Sequence, residues 1–172
     1  MIKTIEKGLK VETKKQEYIH YGHKKFIDEL FEPIRERALF VKPYGGLWAS
    51  RSDSTDSWKK WCENNDFHLS KYSDDNYFKF YLKQGTKLLV IDNHKQLNDL
   101  PHIDLKSEFG FEFDESHYLD FQKITEEYDA MEVLISKDYQ LYWNLYGWDC
   151  DSLLVFNKDC IESISKEKLW EK

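Results

Sequence analysis

KPYGGLWAS, residues 42–50, places two consecutive glycines directly before a bulky apolar pair and ends on a small residue and a hydroxyl. Glycine gives the backbone access to positive φ, so Gly45 and Gly46 predict a close turn. The residues that follow, 46–50, have the apolar and aromatic character of a β-strand. The stretch therefore predicts a strand that begins at a tight turn and carries a tryptophan, Trp48.

Other strand-like runs lie on both sides of this stretch. They are EYIHY (17–21), YFKFYL (77–82), KLLVID (87–92), AMEVLIS (130–136) and two late runs, 141–146 and 151–156. Apolar residues at helical spacing predict helices after Asp53 or Ser54 and over residues 116–128, and a short helix or turn between Phe26 and Pro33. Residues 93–115 are polar and irregular, which predicts a long surface loop. About six strands with intervening helices indicate an α+β fold.

The composition indicates a folded protein outside the membrane. The chain has 172 residues, a formal charge of −7 and three cysteines without CxxC spacing. No apolar run exceeds four residues, whereas a membrane span needs roughly 20. The odd number of cysteines favours reduced thiols in a cytoplasm, and the negative net charge disfavours a broad nucleic-acid surface. We expect a single domain over residues 17–172, preceded by a possible mobile arm over residues 1–16.

Glu132 is the most informative charge in the sequence. It lies inside a predicted strand between apolar neighbours, and a buried carboxylate must be paired, hydrogen-bonded or functional. A catalytic role, an edge strand and a structural salt bridge all remain open. His20 and His23 form an HxxH pair without a third ligand, and Asp74 and Asp75 lack calcium-loop spacing, so no metal site is predicted.

The order of four features resembles the ADP-ribosyltransferase superfamily. These are the strand ending in Tyr21-Gly22, the Gly-Gly-Leu-Trp-Ala-Ser strand, the KLLVID strand and the late strand with Glu132. The resemblance covers most of residues 17–164 and implies a split β-sandwich of two antiparallel sheets with peripheral helices. It also implies NAD as the cofactor, bound in a cleft between the sheets.

The resemblance assigns roles to particular residues. Gly22 would hold the nicotinamide carboxamide, and either Tyr21 or His20 would fill the first motif position. Trp48 would stack beside the nicotinamide ring. Glu132 would be the catalytic residue, which hydrogen-bonds a hydroxyl of the adjoining ribose and stabilises positive charge as the glycosidic bond breaks. The remaining residues of the implied NAD pocket are Gly46, Leu47 and Ser50.

The implied activity is cleavage of the nicotinamide–ribose bond and transfer of ADP-ribose to a macromolecule, a protein rather than a nucleic acid. Bacterial toxins, effectors and phage-encoded inhibitors work in this way. Ala130 stands where arginine-directed members carry an acid, which disfavours arginine as the acceptor. An NAD glycohydrolase and a non-catalytic interaction module on the same fold are the alternatives.

Overall fold

The computed structural model describes residues 15–36, 40–67, 76–103 and 118–163. The strands are β1 (Glu17–Tyr21), β2 (Leu47–Arg51), β3 (Tyr77–Leu82), β4 (Leu88–Ile91), β5 (Ala130–Val133), β6 (Ser152–Val155) and β7 (Ile161–Ser163). The helices are α1 (Trp58–Asn64), α2 (His94–Asn98), α3 (Phe121–Glu127) and α4 (Tyr139–Asn144). Single 3₁₀ turns cover Asp28–Leu30, Ile135–Lys137 and Lys158–Cys160.

The seven strands form one mixed sheet in the order β4-β5-β6-β2-β1-β3-β7. β4 and β5 are parallel, and all other neighbours are antiparallel. The predicted α+β class is confirmed. The expected pair of antiparallel sheets is replaced by this single mixed sheet, because β2 pairs on one edge with β6 and on the other with β1.

β2 divides its pairing between its two neighbours. Residues 47–49 pair with β6, whereas Ser50 and Arg51 pair with β1 at Ile19 and Tyr18. β1 and β6 therefore contact opposite halves of β2. The first half of β2, which contains Trp48, lies beyond the last backbone pair between β1 and β2, Ile19 with Ser50.

Each face of the sheet carries its own apolar core. Cross-strand partners point to the same face, so Trp48, Leu154 and Met131 share one face, which we call the helical face. Its core includes buried residues of three helices: Leu97 from α2, Phe121 and Ile124 from α3, and Leu141 from α4. The opposite face carries the second core, whose members include Tyr18, Ala49, Phe80 and Leu153.

The two glycines of the opening stretch are required by packing. Gly45 and Gly46 have φ values of +81° and +66°. A Cβ on Gly45 would lie 2.2 Å from the Pro33 carbonyl oxygen, and one on Gly46 would lie 2.7 Å from the Val155 carbonyl oxygen. The Gly46 amide also donates to the Glu32 carbonyl at 2.8 Å. The predicted tight turn is confirmed, and its closest neighbours are the chain's own backbone.

The prediction of a strand over residues 141–146 is wrong, because α4 occupies this region. Asp138 caps the helix by accepting a hydrogen bond from the Gln140 amide. Leu141 and Leu145 are fully buried, whereas Trp143 between them is 65% exposed. A strand would direct all three side chains to one face, but a helix directs Trp143 away from the two leucines. The aromatic residues between them had favoured a strand because tyrosine and tryptophan are common in sheets.

The remaining predictions have mixed outcomes. The bounds of β1 and β3 are as predicted, the helix after Ser54 begins later because Ser57 is its cap, and β7 was not foreseen. The predicted loop over 93–115 begins with α2 and then passes outside the described residues at 104. The predicted N-terminal arm lies outside them through residue 14. Within the described residues, no helix has the length and apolar character of a membrane span.

Candidate functional site

Trp48 lies at the centre of a group of aromatic and charged residues beside the helical face. Its ring meets the ring of Trp148 edge-on, with centroids 4.7 Å apart and planes at 64°. The Lys42 ammonium nitrogen lies 4.2 Å from the Trp48 ring centroid and 6.0 Å from that of Trp58. With Asp149, these residues form what we call the Trp48 cluster: Lys42, Trp48, Trp58, Trp148 and Asp149.

Lys42 is an ammonium enclosed by indole rings. Burial lowers the pKa of Lys42, while the nearby Asp149 carboxylate and Cys150 raise it in part. Its Nζ donates a hydrogen bond to the Gly147 carbonyl at 3.3 Å. A cation over the face of tryptophan is attracted by the ring quadrupole, so the Trp48 ring partly offsets the burial that disfavours the charge of Lys42.

Asp149 supplies the negative charge of the cluster. The residue is partly exposed, and its carboxylate interacts electrostatically with Lys42, with Cys62 and with Cys150. It follows Trp148, whose indole nitrogen donates to the Val41 carbonyl at 3.3 Å. The bond between residues 148 and 41 holds the turn that carries Asp149 against the turn that carries Lys42.

Glu132 is held in a buried ion pair. Its side chain is 2% exposed and accepts two hydrogen bonds from Arg51, Nε to Oε1 at 2.8 Å and Nη2 to Oε2 at 2.5 Å. This two-pronged geometry is the strongest that arginine and a carboxylate form. Of the roles left open by the sequence, the geometry is that of a structural salt bridge.

Glu132 and Trp48 lie on opposite faces of the sheet. Glu132 pairs with Leu153, which also pairs with Ala49, whereas Trp48 pairs with Leu154. β6 moreover stands between β2 and β5. The structure therefore does not place Glu132, the predicted catalytic residue, beside Trp48, which was predicted to stack on the nicotinamide ring.

The end of β1, the strand with the first motif position, contacts β2 through the side chain of His20. The His20 Nδ1 donates to the Trp48 carbonyl at 2.7 Å, just beyond the last backbone pair of the two strands, Ile19 with Ser50. Burial lowers the pKa of His20, the Trp48 carbonyl raises it in part and His23 lowers it further. The ring is therefore favoured in its neutral form, with the proton on Nδ1.

The backbone of Gly22 is already engaged by β3. Its amide donates to the Asn76 carbonyl at 2.9 Å, and its carbonyl accepts from the Asn76 side-chain amide at 2.9 Å. Peptide groups alternate in direction along a strand, and the Glu17 carbonyl accepts from Ser52 on the β2 side. By this alternation the Tyr21 peptide groups face β2, as those of Glu17 do, whereas those of Gly22 face β3.

The other predicted pocket residues have structural contacts. Ser50 is 1% exposed; its hydroxyl donates to the Asp151 carbonyl at 3.0 Å and accepts from the Trp58 amide at 3.1 Å. Leu47 is buried in the core opposite the helical face. Gly46 packs against β6, as described above. Ser50 thus joins β2 to the start of α1 and positions Trp58 in the Trp48 cluster.

Metal and thiol chemistry have no support among the described residues. No group of three or more His, Cys, Asp or Glu side chains there is arranged to hold a metal, and His20 and His23 stack on each other with ring centroids 5.7 Å apart. All three cysteines are buried free thiols. Burial raises the pKa of Cys150 and of Cys160 to about 12, so these thiols are not nucleophiles at neutral pH.

Trp48 is the one member of the Trp48 cluster that the sequence indicated as a site residue, and its two charged members, Lys42 and Asp149, were not indicated. Lys42 opens the quoted stretch, and Asp149 lies in the turn-like GWDCD run before β6. The contact between their segments spans 105 residues, from Lys42 to Gly147. No periodicity or motif spacing links positions so far apart, so only the fold brings them together.

Comparisons with known proteins found no relative of the chain. No protein-family model matches it, and neither a curated protein nor a solved structure matches it.

Proposed function

We propose that the chain is an NAD-dependent ADP-ribosyltransferase whose nicotinamide site is the Trp48 cluster. The observation that carries the proposal is the Lys42 ammonium, held over the Trp48 ring at 4.2 Å. The nicotinamide ring of NAD is itself a flat organic cation, and an indole face attracts such cations. A surface that already accommodates a cation in this position suits that ring.

The same cluster supplies a carboxylate that can stabilise the charge formed during bond cleavage. When the nicotinamide–ribose bond breaks, positive charge develops on the ribose, and a fixed carboxylate nearby stabilises that charge. Asp149 is the partly exposed acid of the cluster, whereas Glu132 faces away and is neutralised by Arg51. We therefore transfer the electrostatic role from Glu132 to Asp149.

The proposal also takes His20, rather than Tyr21, as the residue in the first motif position. With His20 in the first motif position, Tyr21 takes the place at which peptide groups would bind the nicotinamide carboxamide. Strand alternation directs those groups towards β2, the strand that carries Trp48. The alternative alignment requires the Gly22 peptide groups, which face β3. The direction of the peptide groups supports the alignment through His20.

The acceptor in this proposal is a protein. The formal charge of −7 opposes the binding of a phosphate backbone, which needs clustered lysine and arginine. The split sandwich expected from the resemblance stays part of the proposal in one respect. β2 pairs with β6 through residues 47–49 on one edge and with β1 through Ser50 and Arg51 on the other, and the two halves of such a sandwich would separate at this strand.

Incubation with NAD labelled in the adenylate portion tests this function. Label that becomes bound to protein supports transfer, and free labelled ADP-ribose alone supports an NAD glycohydrolase that uses water as the acceptor. Intact NAD after incubation with both a cell extract and the purified chain contradicts both reactions. Nicotinamide release is measured in the same samples, because it must equal the sum of the two labelled products.

A second candidate function, a non-catalytic interaction module, is favoured by the aromatic residues of α4 and of the turn that follows it. Tyr139, Trp143 and Tyr146 are 69%, 65% and 84% exposed, and Tyr142 stacks on Tyr139. Tyrosine and tryptophan are enriched at protein interfaces. Serine substitutions at Tyr139, Trp143 and Tyr146 separate the candidates: an enzyme retains NAD cleavage, whereas an interaction module loses the partner that the unaltered chain retains.

A further inference from the structure

We infer that Lys42 is an internal occupant of the nicotinamide site, and that an aromatic cation must displace its ammonium to bind against Trp48. The inference rests on the proposed function in taking the nicotinamide ring as that cation. It adds that a charged aromatic ring binds against Trp48 more tightly than an uncharged ring of similar shape.

The contacts of Lys42 are those of an exchangeable group. Its Nζ lies over Trp48 and has one hydrogen bond, 3.3 Å in length, to the Gly147 carbonyl. Lysine has four rotatable side-chain bonds and a compact, strongly hydrated charge. The ammonium can therefore return to water by side-chain rotation when another cation takes its place.

The backbone next to Lys42 is held more firmly than its side chain. The Val41 carbonyl accepts from the Trp148 indole nitrogen, and both residues belong to the buried core. Two residues further along, Tyr44 forms reciprocal backbone hydrogen bonds with Arg35 at 2.9 and 3.0 Å. The rings of Trp48 and Trp148 would thus stay in place while the lysine side chain leaves.

The charges around the site fit a cation better than a neutral ring. Asp149 interacts with the Lys42 ammonium, and the Gly147 carbonyl oxygen presents a partial negative charge to it. When Lys42 leaves the site, these groups and the indole face of Trp48 lose their positive partner. A pyridinium ring restores that charge, whereas uncharged nicotinamide or dihydronicotinamide does not.

Calorimetric titration with 1-methylnicotinamide, a permanent cation, tests the inference, with uncharged nicotinamide as the matched probe. We expect the Lys42→Ala variant to bind the cation about 2- to 30-fold more tightly than the unaltered chain, the range set by one cation–π interaction. Lys95→Ala, at an exposed lysine of α2, should leave affinity unchanged. Adding Trp48→Leu to Lys42→Ala should abolish the gain. Equal or weaker binding by Lys42→Ala overturns the inference.

A second measurement uses the unaltered chain and does not depend on the folding of a variant. Reductive methylation of lysines is followed by peptide mass spectrometry with and without saturating 1-methylnicotinamide. Displacement predicts that the cation increases labelling of Lys42 and leaves Lys95 unchanged, and an unchanged rate at Lys42 contradicts it. Cation binding that releases Lys42 in a chain that never cleaves NAD would sink the proposed function alone. NAD cleavage without release of Lys42 would sink this inference alone.

Discussion

At the scale of single residues, the Arg51–Glu132 pair separates a structural role from a catalytic one. Replacing Arg51 by leucine leaves the Glu132 carboxylate buried without its partner, and a buried charge that loses its partner costs about 3–5 kcal/mol. We expect Arg51→Leu to lower the free energy of unfolding by this amount in urea denaturation. The double variant Arg51→Leu/Glu132→Leu removes both charges and should recover much of the loss. A single variant as stable as the unaltered chain would show that the pair contributes little.

His20 gives a second residue-scale prediction, in the pH dependence of stability. Burial lowers the pKa of His20 in the folded chain, below its unfolded value of about 6.5. The neutral ring therefore contributes stability that is fully present above pH ~6.5 and is lost as pH falls through the folded pKa. Urea denaturation from pH 7.5 to pH 4.5 should show the unaltered chain losing stability relative to His20→Gln.

The matched control is His23→Gln, which leaves the His20 ring bonded to the Trp48 carbonyl. This variant should keep the fall in stability at acid pH, since His23 is exposed. A constant difference between the unaltered chain and His20→Gln across the pH range would contradict the burial argument.

At the scale of elements, the entry into β2 depends on Gly46. Alanine at this position would need a positive φ, which costs about 1–2 kcal/mol, and its Cβ would also lie 2.7 Å from the Val155 carbonyl oxygen. Gly85 is the matched control, because its φ is +87° and nothing lies within 4 Å of a Cβ there. Thermal or urea denaturation should show Gly46→Ala as the more destabilised variant. Equal losses would mean that the packing of this turn adds nothing to its strain.

How well an element could be predicted from the sequence depended on how local its signal was. β3 has alternating burial over residues 77–80, which two-residue periodicity captures, whereas β1 has two adjacent buried residues, Tyr18 and Ile19, and ends before Gly22. The bounds of both strands were predicted. α4 was predicted as a strand because LYWNLY is rich in aromatic residues, whereas the Asp138 cap and the buried Leu141 and Leu145 favour the helix. Local propensity is overridden where burial selects one face of an element.

At the scale of the whole molecule, strand order and side-chain face determine whether Trp48 and Glu132 lie together, which the sequence could not predict. The sequence placed Trp48 and Glu132 in strands, and both lie in strands. Their relation depends on β6 pairing between β2 and β5 and on register, since a shift of one residue moves a side chain to the opposite face. These pairings are made across long stretches of chain, so the Trp48 cluster emerged only from the folded arrangement.

We propose that NAD chemistry takes place at the Trp48 cluster and not at Glu132. The most direct test compares nicotinamide release from NAD by Asp149→Asn and by Glu132→Gln, each corrected for its folded fraction. We expect Asp149→Asn to lower kcat by about 10²–10³-fold, the usual effect of removing one electrostatic stabiliser, with Glu132→Gln close to the unaltered chain per folded molecule. Loss of turnover in Glu132→Gln with full activity in Asp149→Asn would contradict the assignment of NAD chemistry to the Trp48 cluster.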